Sequence, residues 1–279
     1  TISPTIQISI QPQANQADWH NSDITITLTA QDNEGGSGIR EIVYSLPYIG
    51  AESNFVENNQ AVISFSTEGI NLFHYVALDM EGNDSGQKSI EINLDKTPPV
   101  ITATVTPEPN QADWHNSNVT VSFTATDSLS GVKSVTSPVT VTTQGDSQVI
   151  NGEAQDVADN KATIQTTLNI DKTSPLVTIT ANPSVLWSPD NKMVDVVING
   201  EVTDNLSGIE SLTFKVTDEY EKVQPTLTDF GSTIKLEASR DGSDKDGRTY
   251  TISATAKDKA GNESIASVTV TVPHDQGKK

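Results

Sequence analysis

Ile24-Thr-Ile-Thr-Leu-Thr-Ala30 alternates strictly, with an apolar side chain at every second position and threonine between. Because successive side chains of a β-strand point to opposite faces, this period of two places the apolar set on one face and the hydroxyls on the other. The pattern predicts a half-buried strand of an antiparallel sheet. It recurs at Val119-Thr-Val-Ser-Phe-Thr-Ala125, Tyr250-Thr-Ile-Ser-Ala-Thr-Ala256 and Val268-Thr-Val-Thr-Val272.

The composition of the 279 residues also favours β-structure. The chain contains 34 Thr and 28 Ser, and aromatic residues make up only 5%, so the core must be built from Val, Ile, Leu, Ala and Thr. Such β-branched residues prefer an extended backbone. No window of comparable length has a helical period, and we therefore predict an all-β protein.

A series of segments recurs three times along the chain. Asn15-Gln-Ala-Asp-Trp-His-Asn-Ser22 returns as Asn110-Gln-Ala-Asp-Trp-His-Asn-Ser117, and Leu186-Trp-Ser-Pro-Asp-Asn191 is the looser third counterpart. A strand follows each and runs into an acidic turn, which is Asp32-Asn-Glu-Gly-Gly-Ser-Gly38, Asp127-Ser-Leu-Ser-Gly131 or Asp204-Asn-Leu-Ser-Gly208. A later strand ends in a second acidic turn, which is Asp79-Met-Glu-Gly-Asn83, Asp156-Val-Ala-Asp-Asn160 or Asp258-Lys-Ala-Gly-Asn262.

Prolines mark the ends of the first two copies of this repeat, in Leu94-Asp-Lys-Thr-Pro-Pro99 and Ile170-Asp-Lys-Thr-Ser-Pro175. Proline cannot donate to a sheet ladder and restricts the residue before it, so each proline marks a strand end and a stiffened join. We therefore predict three domains, here called the first, second and third copies, at 1–97, 98–173 and 174–279. Turn signals every 8–12 residues or so fit small antiparallel sandwiches of roughly seven strands, for which the second copy is short.

Charge and cysteine content exclude several classes of function. The chain has 37 acidic and 17 basic side chains, a net charge of −20 and no cysteine, which rules out disulfides, thiolate zinc sites and cysteine nucleophiles. An acidic surface repels phosphate backbones and opposes self-association, so we expect a monomer without a nucleic-acid partner. No apolar run approaches the roughly 20 residues of a transmembrane helix, and we expect no direct membrane insertion.

The ordered set of motifs resembles a known family. A Trp, a strand, an Asp-x-x-Ser-Gly turn, an Asp-x-x-Gly-Asn turn and an Asp-Lys-Thr-Pro-Pro linker, in that order, resemble the bacterial immunoglobulin-like repeats found in tandem in secreted and cell-surface proteins. The resemblance covers essentially the whole chain, although the Cys…Trp…Cys pattern of antibody domains is absent. It implies three tandem immunoglobulin-like antiparallel β-sandwich domains in an extended array and an extracellular or cell-surface location.

The acidic turns form the candidate site. In an immunoglobulin-like sandwich they become the B–C and F–G turns, which lie together at the N-terminal pole where the preceding linker arrives. Three sets of side chains should therefore converge. They are Asp95, Asp127, Asp156 and Asp159 at the first join; Asp171, Asp204, Asp258 and Asn262 at the second; and Asp32, Asp79 and Asn83 at the pole of the first copy.

Calcium is the cofactor that such sets would suit. It takes six to eight oxygen ligands from carboxylates, carbonyls and water, and bound at a join it would resist bending. The competing interpretation needs no metal, because Asp and Asn form Asx-turns and Gly supplies positive φ wherever tight turns occur.

Almost every conspicuous residue occurs more than once, whereas a catalytic site should appear once. His20 and His115 share one turn and are interpreted as boundary residues rather than as bases that activate a nucleophile. Trp19, Trp114 and Trp187 are interpreted as plugs at the sandwich ends, with an exposed sugar-stacking platform as the alternative. We therefore expect no enzymatic activity within these residues.

The function that these expectations favour is a spacer or stalk segment of a secreted or cell-surface bacterial protein, such as an adhesin. Its partners are then the flanking domains of a larger polypeptide. Two alternatives stay open. The chain could instead bind a surface glycan or a protein, through exposed Trp or the longer 218–248 region, or it could supply accessory domains to a larger secreted hydrolase.

Overall fold

The computed structural model describes residues 2–45, 54–222 and 224–274, which form β-strands joined by turns and contain no helix. Within this part of the chain the strands form six sheets, two for each copy of the repeat. The predicted class of tandem antiparallel β-sandwiches is thereby confirmed, while the extended arrangement stays a prediction. Among the described residues no helix is long and apolar enough to span a membrane.

The first copy contains eight strands in its described residues, 2–45 and 54–97. They are β1 (Thr5–Gln11), β2 (Trp19–His20), β3 (Ile24–Gln31), β4 (Ile39–Ser45), β5 (Asn54–Val56), β6 (Gln60–Phe65), β7 (Gly69–Asp79) and β8 (Lys88–Leu94). One sheet has the order β1-β3-β6 and the other β2-β8-β7-β4-β5, with short β2 parallel to β8 and the other pairs antiparallel. The alternation of β3 behaves as predicted, because Ile26 and Leu28 are buried and pack with Phe73 and Ile92 of the facing sheet.

The second copy contains six described strands. They are β9 (Val100–Thr106), β10 (Val119–Thr126), β11 (Val132–Val135), β12 (Val139–Val141), β13 (Gly145–Asp156) and β14 (Lys161–Ile170), in sheets of order β12-β10-β9 and β11-β13-β14. Phe123 is buried and lies against the backbone of Gly152, where an added Cβ would come within 2.4 Å of the ring. Glycine at this position therefore makes room for the aromatic side chain.

The third copy also contains six described strands. They are β15 (Leu176–Asn182), β16 (Met193–Thr203), β17 (Ile209–Asp218), β18 (Thr233–Glu237), β19 (Arg248–Asp258) and β20 (Glu263–Val272), in sheets of order β15-β16-β18 and β17-β19-β20. Alternate residues of β19 are buried along its whole length. Tyr250 and Ile252 pack with Ile198 and Leu236 of the facing sheet, which gives this copy its own core.

The chain separates into two compact units. One comprises Thr1–Thr104, Ser122–Pro138 and Asn151–Gln165, and the other comprises Val105–Val121, Val139–Ile150 and Thr166–Lys279. Each unit thus combines one complete outer copy of the repeat with part of the second copy. The three-domain division at 1–97, 98–173 and 174–279 stays a prediction.

Candidate metal centres

The B–C turns of the second and third copies fold around one carboxylate oxygen each. Asp127 Oδ1 accepts hydrogen bonds from the backbone N–H of Leu129 at 3.1 Å and of Gly131 at 2.6 Å. Such Asx-turns let a short acidic side chain replace a backbone carbonyl. Gly131 lies at φ 85°, in the left-handed region that glycine adopts without steric cost. Asp204 makes the same pair of bonds in the third copy, at 3.1 and 2.6 Å.

The F–G turns are built on a pair of Asp and Asn side chains. Asp156 Oδ1 accepts from the backbone N–H of Asn160 at 2.7 Å, and Asp156 Oδ2 accepts from Asn160 Nδ2 at 2.8 Å. Asp258 and Asn262 repeat both bonds, each at 2.8 Å. Neutral N–H groups therefore orient both oxygens of each carboxylate without cancelling its charge.

The linker aspartates connect these turns to the preceding copy. Asp95 is completely buried; its N–H donates to His20 O at 2.9 Å, and its Oδ2 accepts from the backbone N–H of Ser130 at 3.0 Å. Asn160 Nδ2 also donates to the backbone O of Asp95, at 2.8 Å. The buried Asp171 makes the equivalent contacts with His115, Ser207 and Asn262, at 2.8, 3.0 and 2.9 Å.

Each unit thus brings three carboxylates together. The first acid group consists of Asp95, Asp127 and Asp156, and the second of Asp171, Asp204 and Asp258. In each group the three carboxylates offer oxygen atoms that all lie within 4.8 Å of one another. The linker and F–G aspartates have no exposed surface, whereas the B–C aspartates are half-buried. One side of each group is therefore open to an ion from solution.

The acid groups concentrate negative charge without a protein cation. No ion pair in the described part of the chain involves any of the six carboxylates. Burial raises the pKa of Asp156, and the charges of Asp95 and Asp127 add to the increase, although the bonds from Asn160 oppose it. Like charges at this distance can be accommodated by a divalent cation or by a shared proton.

Asp159, expected in the first set, lies outside the first acid group. Its Oδ1 accepts from Lys133 Nζ at 2.6 Å and from Gln155 Nε2 at 2.9 Å, and its Oδ2 accepts from Asn15 Nδ2 at 2.8 Å. The bond from Lys133 is the main reason that the pKa of Asp159 is lowered. Asn262, expected as a ligand of the second set, joins the linker to the F–G turn through its amide N–H groups, and its role as a ligand stays a prediction.

The N-terminal pole of the first copy has both turns, but the described residues bring no third carboxylate to them. Asp32 accepts from the backbone N–H of Asn33 at 2.8 Å and of Gly38 at 2.7 Å. Asp79 repeats the F–G bonds to Asn83, at 2.8 and 2.7 Å. The side-chain bond from Asn83 lowers the pKa of Asp79, in contrast to the raised pKa of Asp156.

His20 and His115 support the linkers through their backbones. Both side chains are buried, with exposed fractions of 6% and 4%, and burial lowers the pKa of each imidazole. The rings are therefore uncharged at neutral pH, while the carbonyls of these residues hold the N–H groups of Asp95 and Asp171. This placement favours the interpretation of boundary residues over that of catalytic bases.

The tryptophans do not share one environment. Those of the first two copies are half-buried, whereas Trp187 is 47% exposed. The strand register also shows that Trp187 is not the counterpart of Trp19. Trp19 pairs with Asn93, and in the third copy the residue equivalent to Asn93 is Thr271, which pairs with Val185. Val185 therefore occupies the position of Trp19, and Trp187 lies two residues beyond it in the chain.

Three contributors to the acid groups are missing from the expected sets. They are the clamping amide of Asn160 and the backbone N–H groups of Ser130 and Ser207, which orient the linker carboxylates. The repeat would have revealed Asn160, since it occupies the same position as Asn262. The backbone N–H groups of Ser130 and Ser207 could not be predicted, because every residue except proline has such a group and the sequence does not show where it points.

Comparison with known proteins identifies no family. No protein-family model matches the chain, and no curated protein matches it. Among solved structures, the chain is similar to fibronectin(III)-like modules of Clostridium thermocellum CbhA, at 13% identity over 96% of this chain and 94% of that chain, with a TM-score of 0.22. It is also similar to a tetra-tandem repeat in the extending region of a large adhesion protein (17% identity, 98% and 75% covered, TM-score 0.33) and to extracellular cadherin domains 3–6 of protocadherin gamma B2 (12%, 95% and 73%, 0.35). At such scores the fold class rests on the sheets themselves.

Proposed function

We propose that the chain is a non-catalytic, extracellular segment of tandem immunoglobulin-like modules that acts as a spacer, and that its joins bind calcium. The observation that carries this proposal is the pair of acid groups, which gather three carboxylates each in the same geometry and contain no cation of their own. The same geometry in two places is what a repeated structural join requires. Catalysis, by contrast, would need an acid, a base and a nucleophile in one place.

The chemistry of the donors suits calcium. A calcium ion takes oxygen ligands at about 2.3–2.6 Å in a flexible geometry, so three carboxylates with added water can fill its shell. Asp95 belongs to the linker, while Asp127 and Asp156 belong to two turns of the second copy. An ion held by all three would therefore tie the linker to both turns, and it would remove the bending freedom that a short linker otherwise keeps.

Calorimetry on the chelator-treated chain tests the calcium proposal. We expect about two bound ions, one for each acid group, and a higher melting temperature in calcium, with about 2.7 kcal/mol of stabilisation at a hundredfold excess over Kd. Asp127→Asn and Asp204→Asn should each remove one ion, because an amide keeps the turn bonds at Oδ1 but brings no charge. Asp195→Asn is the matched control, since this exposed aspartate pairs with Lys235 outside both groups.

The spacer role has its own readout. Small-angle scattering should give an extended profile that stiffens when calcium replaces chelator. A compact profile would contradict the spacer, and a chain that shows neither heat of binding nor any difference in melting temperature would contradict the calcium sites.

The exposure of Trp187 favours a second candidate function, the binding of a glycan or protein ligand by the third copy. Aromatic side chains that stand in solvent provide large, rigid contact surfaces for such ligands. A glycan array probed with the whole chain would test this candidate directly.

A further inference from the structure

The segment that recurs most faithfully, Asn15-Gln-Ala-Asp-Trp-His20, folds into a closed loop around its first side chain. Asn15 Oδ1 accepts from the backbone N–H of Ala17 at 2.9 Å and of Trp19 at 3.1 Å. The backbone N–H of Asn15 donates to Trp19 O at 2.8 Å, and Asp18 turns the chain at φ 61°. The second copy repeats these features at Asn110 and its neighbours, with side-chain bonds of 2.9 and 3.1 Å. We call residues 15–18 and 110–113 the Asn loops.

The loop geometry fixes which end of the asparagine amide points outward. Backbone N–H groups can only donate, so the atom that they contact must be Oδ1. Nδ2 is therefore the outward atom in both loops. Each Asn loop presents two N–H donors whose direction is set by the loop itself rather than by the partner.

Both outward amides donate to the F–G turn of the following copy, within one compact unit each. Asn15 Nδ2 donates to Val157 O at 2.7 Å, and Asn110 Nδ2 donates to Lys259 O at 2.8 Å. Val157 and Lys259 are equivalent, because each directly follows the aspartate that begins its F–G turn. The same loop atom thus binds the same backbone carbonyl twice in one chain.

The third copy does not contain this loop. A proline follows the first strand of every copy, at Pro12, Pro107 and Pro183. Six residues separate Pro12 from Trp19, whereas only Ser184 separates Pro183 from Val185, which stands in the place of Trp19. The shorter segment leaves no room for an Asn loop, although the strand order of the third copy matches that of the second.

We propose that the Asn loop is a docking surface for a following module of the same repeat type, which it recognises by the backbone carbonyl after the first aspartate of the F–G turn. This goes beyond the calcium proposal, because the contact contains no carboxylate ligand and needs no metal. Each join is then stabilised by two interactions. One is the acid group, which depends on a bound ion, and the other is the hydrogen bond from the amide of the Asn loop, which does not. The third copy, which lacks the loop, cannot receive another module in this way.

The two joins differ in one acceptor. At the first join Asn15 Nδ2 also donates to Asp159 Oδ2 at 2.8 Å, and a bond to a charged acceptor is stronger than one to a neutral carbonyl. The second join has Gly261 at this position, and a Cβ added there would lie 4.0 Å from Asn110 Nδ2 and 3.7 Å from Asn116 Nδ2. A carboxylate at position 261 would therefore meet two amides. Both positions have positive φ, at 75° and 94°, which aspartate already tolerates at position 159.

Distance measurements between spin labels test the docking surface, and the absence of cysteine allows labels to be placed without background. For the first join we would label Gln60→Cys and Gln165→Cys, both exposed and both in the first unit. Asn15→Asp keeps the loop-closing oxygen but replaces the outward donor with a carboxylate. In chelator it should raise the fraction of molecules outside the main distance peak roughly tenfold.

The decisive variant adds a contact rather than removing one, so that misfolding cannot mimic its effect. With labels at Thr167→Cys and Thr233→Cys in the second unit, Gly261→Asp should narrow the distance distribution of the second join, and Asn110→Asp should reverse that gain. Calcium binding should persist in every variant, which separates this proposal from the acid groups. Unchanged distributions for Asn15→Asp and Gly261→Asp in chelator would overturn the docking surface while leaving the calcium proposal intact.

Discussion

The acid groups at the joins and a buried cluster in the third copy both contain buried carboxylates, but only the buried cluster contains a cation that compensates the charge. In the third copy, Asp218 accepts from Arg248 Nε at 2.9 Å and from Arg248 Nη2 at 2.6 Å. Arg248 is 1% exposed, lies between the rings of Tyr220 and Tyr250, and also donates to Ser239 Oγ at 2.9 Å. We call these five residues the Arg248 cluster. It buries an aspartate together with its own cation.

The two environments shift aspartate pKa values in opposite directions. Although burial pushes the pKa of Asp218 upward, the bonds from Arg248 and the backbone hold it below its ordinary value. Burial raises the pKa of Asp156, and the neighbouring Asp95 and Asp127 add to this shift. The chain therefore stabilises the buried Asp218 with an internal cation and leaves the carboxylates of the acid groups to a cation or proton from solution. This dependence on solution would make the acid groups respond to calcium and to pH, whereas the Arg248 cluster would not.

Removing the internal cation should have the largest effect. Arg248→Met leaves the buried Asp218 without its cation, although the bonds from the backbone of Tyr220 and from Gln224 remain, and breaking a buried pair in this way costs about 3–5 kcal/mol. Calorimetric unfolding should therefore show a much lower transition temperature for the third copy only. Arg248→Met combined with Asp218→Leu is the matched control, because replacing both charges with apolar side chains should recover most of the loss. Equal stability of Arg248→Met and the parent chain would show that the cluster carries little energy.

Neutralising one member of an acid group should have a smaller effect of the opposite sign. In chelator at pH 7, Asp127→Asn removes one of three like charges and should raise the stability of the second copy by less than about 1 kcal/mol, since this side chain is half-buried and partly screened. In calcium the parent chain should be more stable than the variant, because the parent binds the ion and the variant does not. Thermal melts in the two buffers, with Asp195→Asn alongside, measure both differences. A variant less stable than its parent in chelator would show that the turn bonds outweigh the repulsion.

The strands and the meeting of the turns could be predicted because both depend on local pattern. Alternation fixes which side chains of β3 are buried, and the repeat places the B–C and F–G aspartates at one pole, so the members Asp95, Asp127 and Asp156 follow from sequence. Asp159 shares the same turn but faces Lys133 and Asn15. Direction within a turn depends on which partner is nearer in space, and residue spacing does not contain that information.

The Arg248 cluster shows a second limit of sequence reasoning. Arg248 and its partner Asp218 stand at the two ends of the longer 218–248 region and are 30 residues apart in the chain. An arginine is usually exposed, and only the pairing of β17 with β19 brings the two together. The Asn loops were visible as a repeat, yet their role depends on a bond to a backbone carbonyl. Such contacts appear only when the fold is known.

The smallest predicted effect compares Asp79 with Asp156, which share the same turn and the same asparagine partner. The pKa of Asp79 is lowered, chiefly by the bond from Asn83, so its stabilising contribution is present above pH 3.8 and disappears as the pH falls through its lower folded value. The pKa of Asp156 is raised, so its charged form costs stability at neutral pH, and this cost is relieved as the pH falls through the folded value toward 3.8.

Carboxyl-carbon NMR titration in chelator should therefore give a higher apparent pKa for Asp156 than for Asp79. Because their turns match, the difference reports chiefly the stronger effect of burial on Asp156, to which the charges of Asp95 and Asp127 add. Asp95→Asn should bring the two titrations closer together, and calcium should lower the apparent pKa of Asp156 alone, since the ion competes with the proton for the same oxygens. Coincident titrations in chelator would mean that neither burial nor the neighbouring carboxylates disfavour the charged form of Asp156, and the reason for the acid group to recruit a cation would disappear.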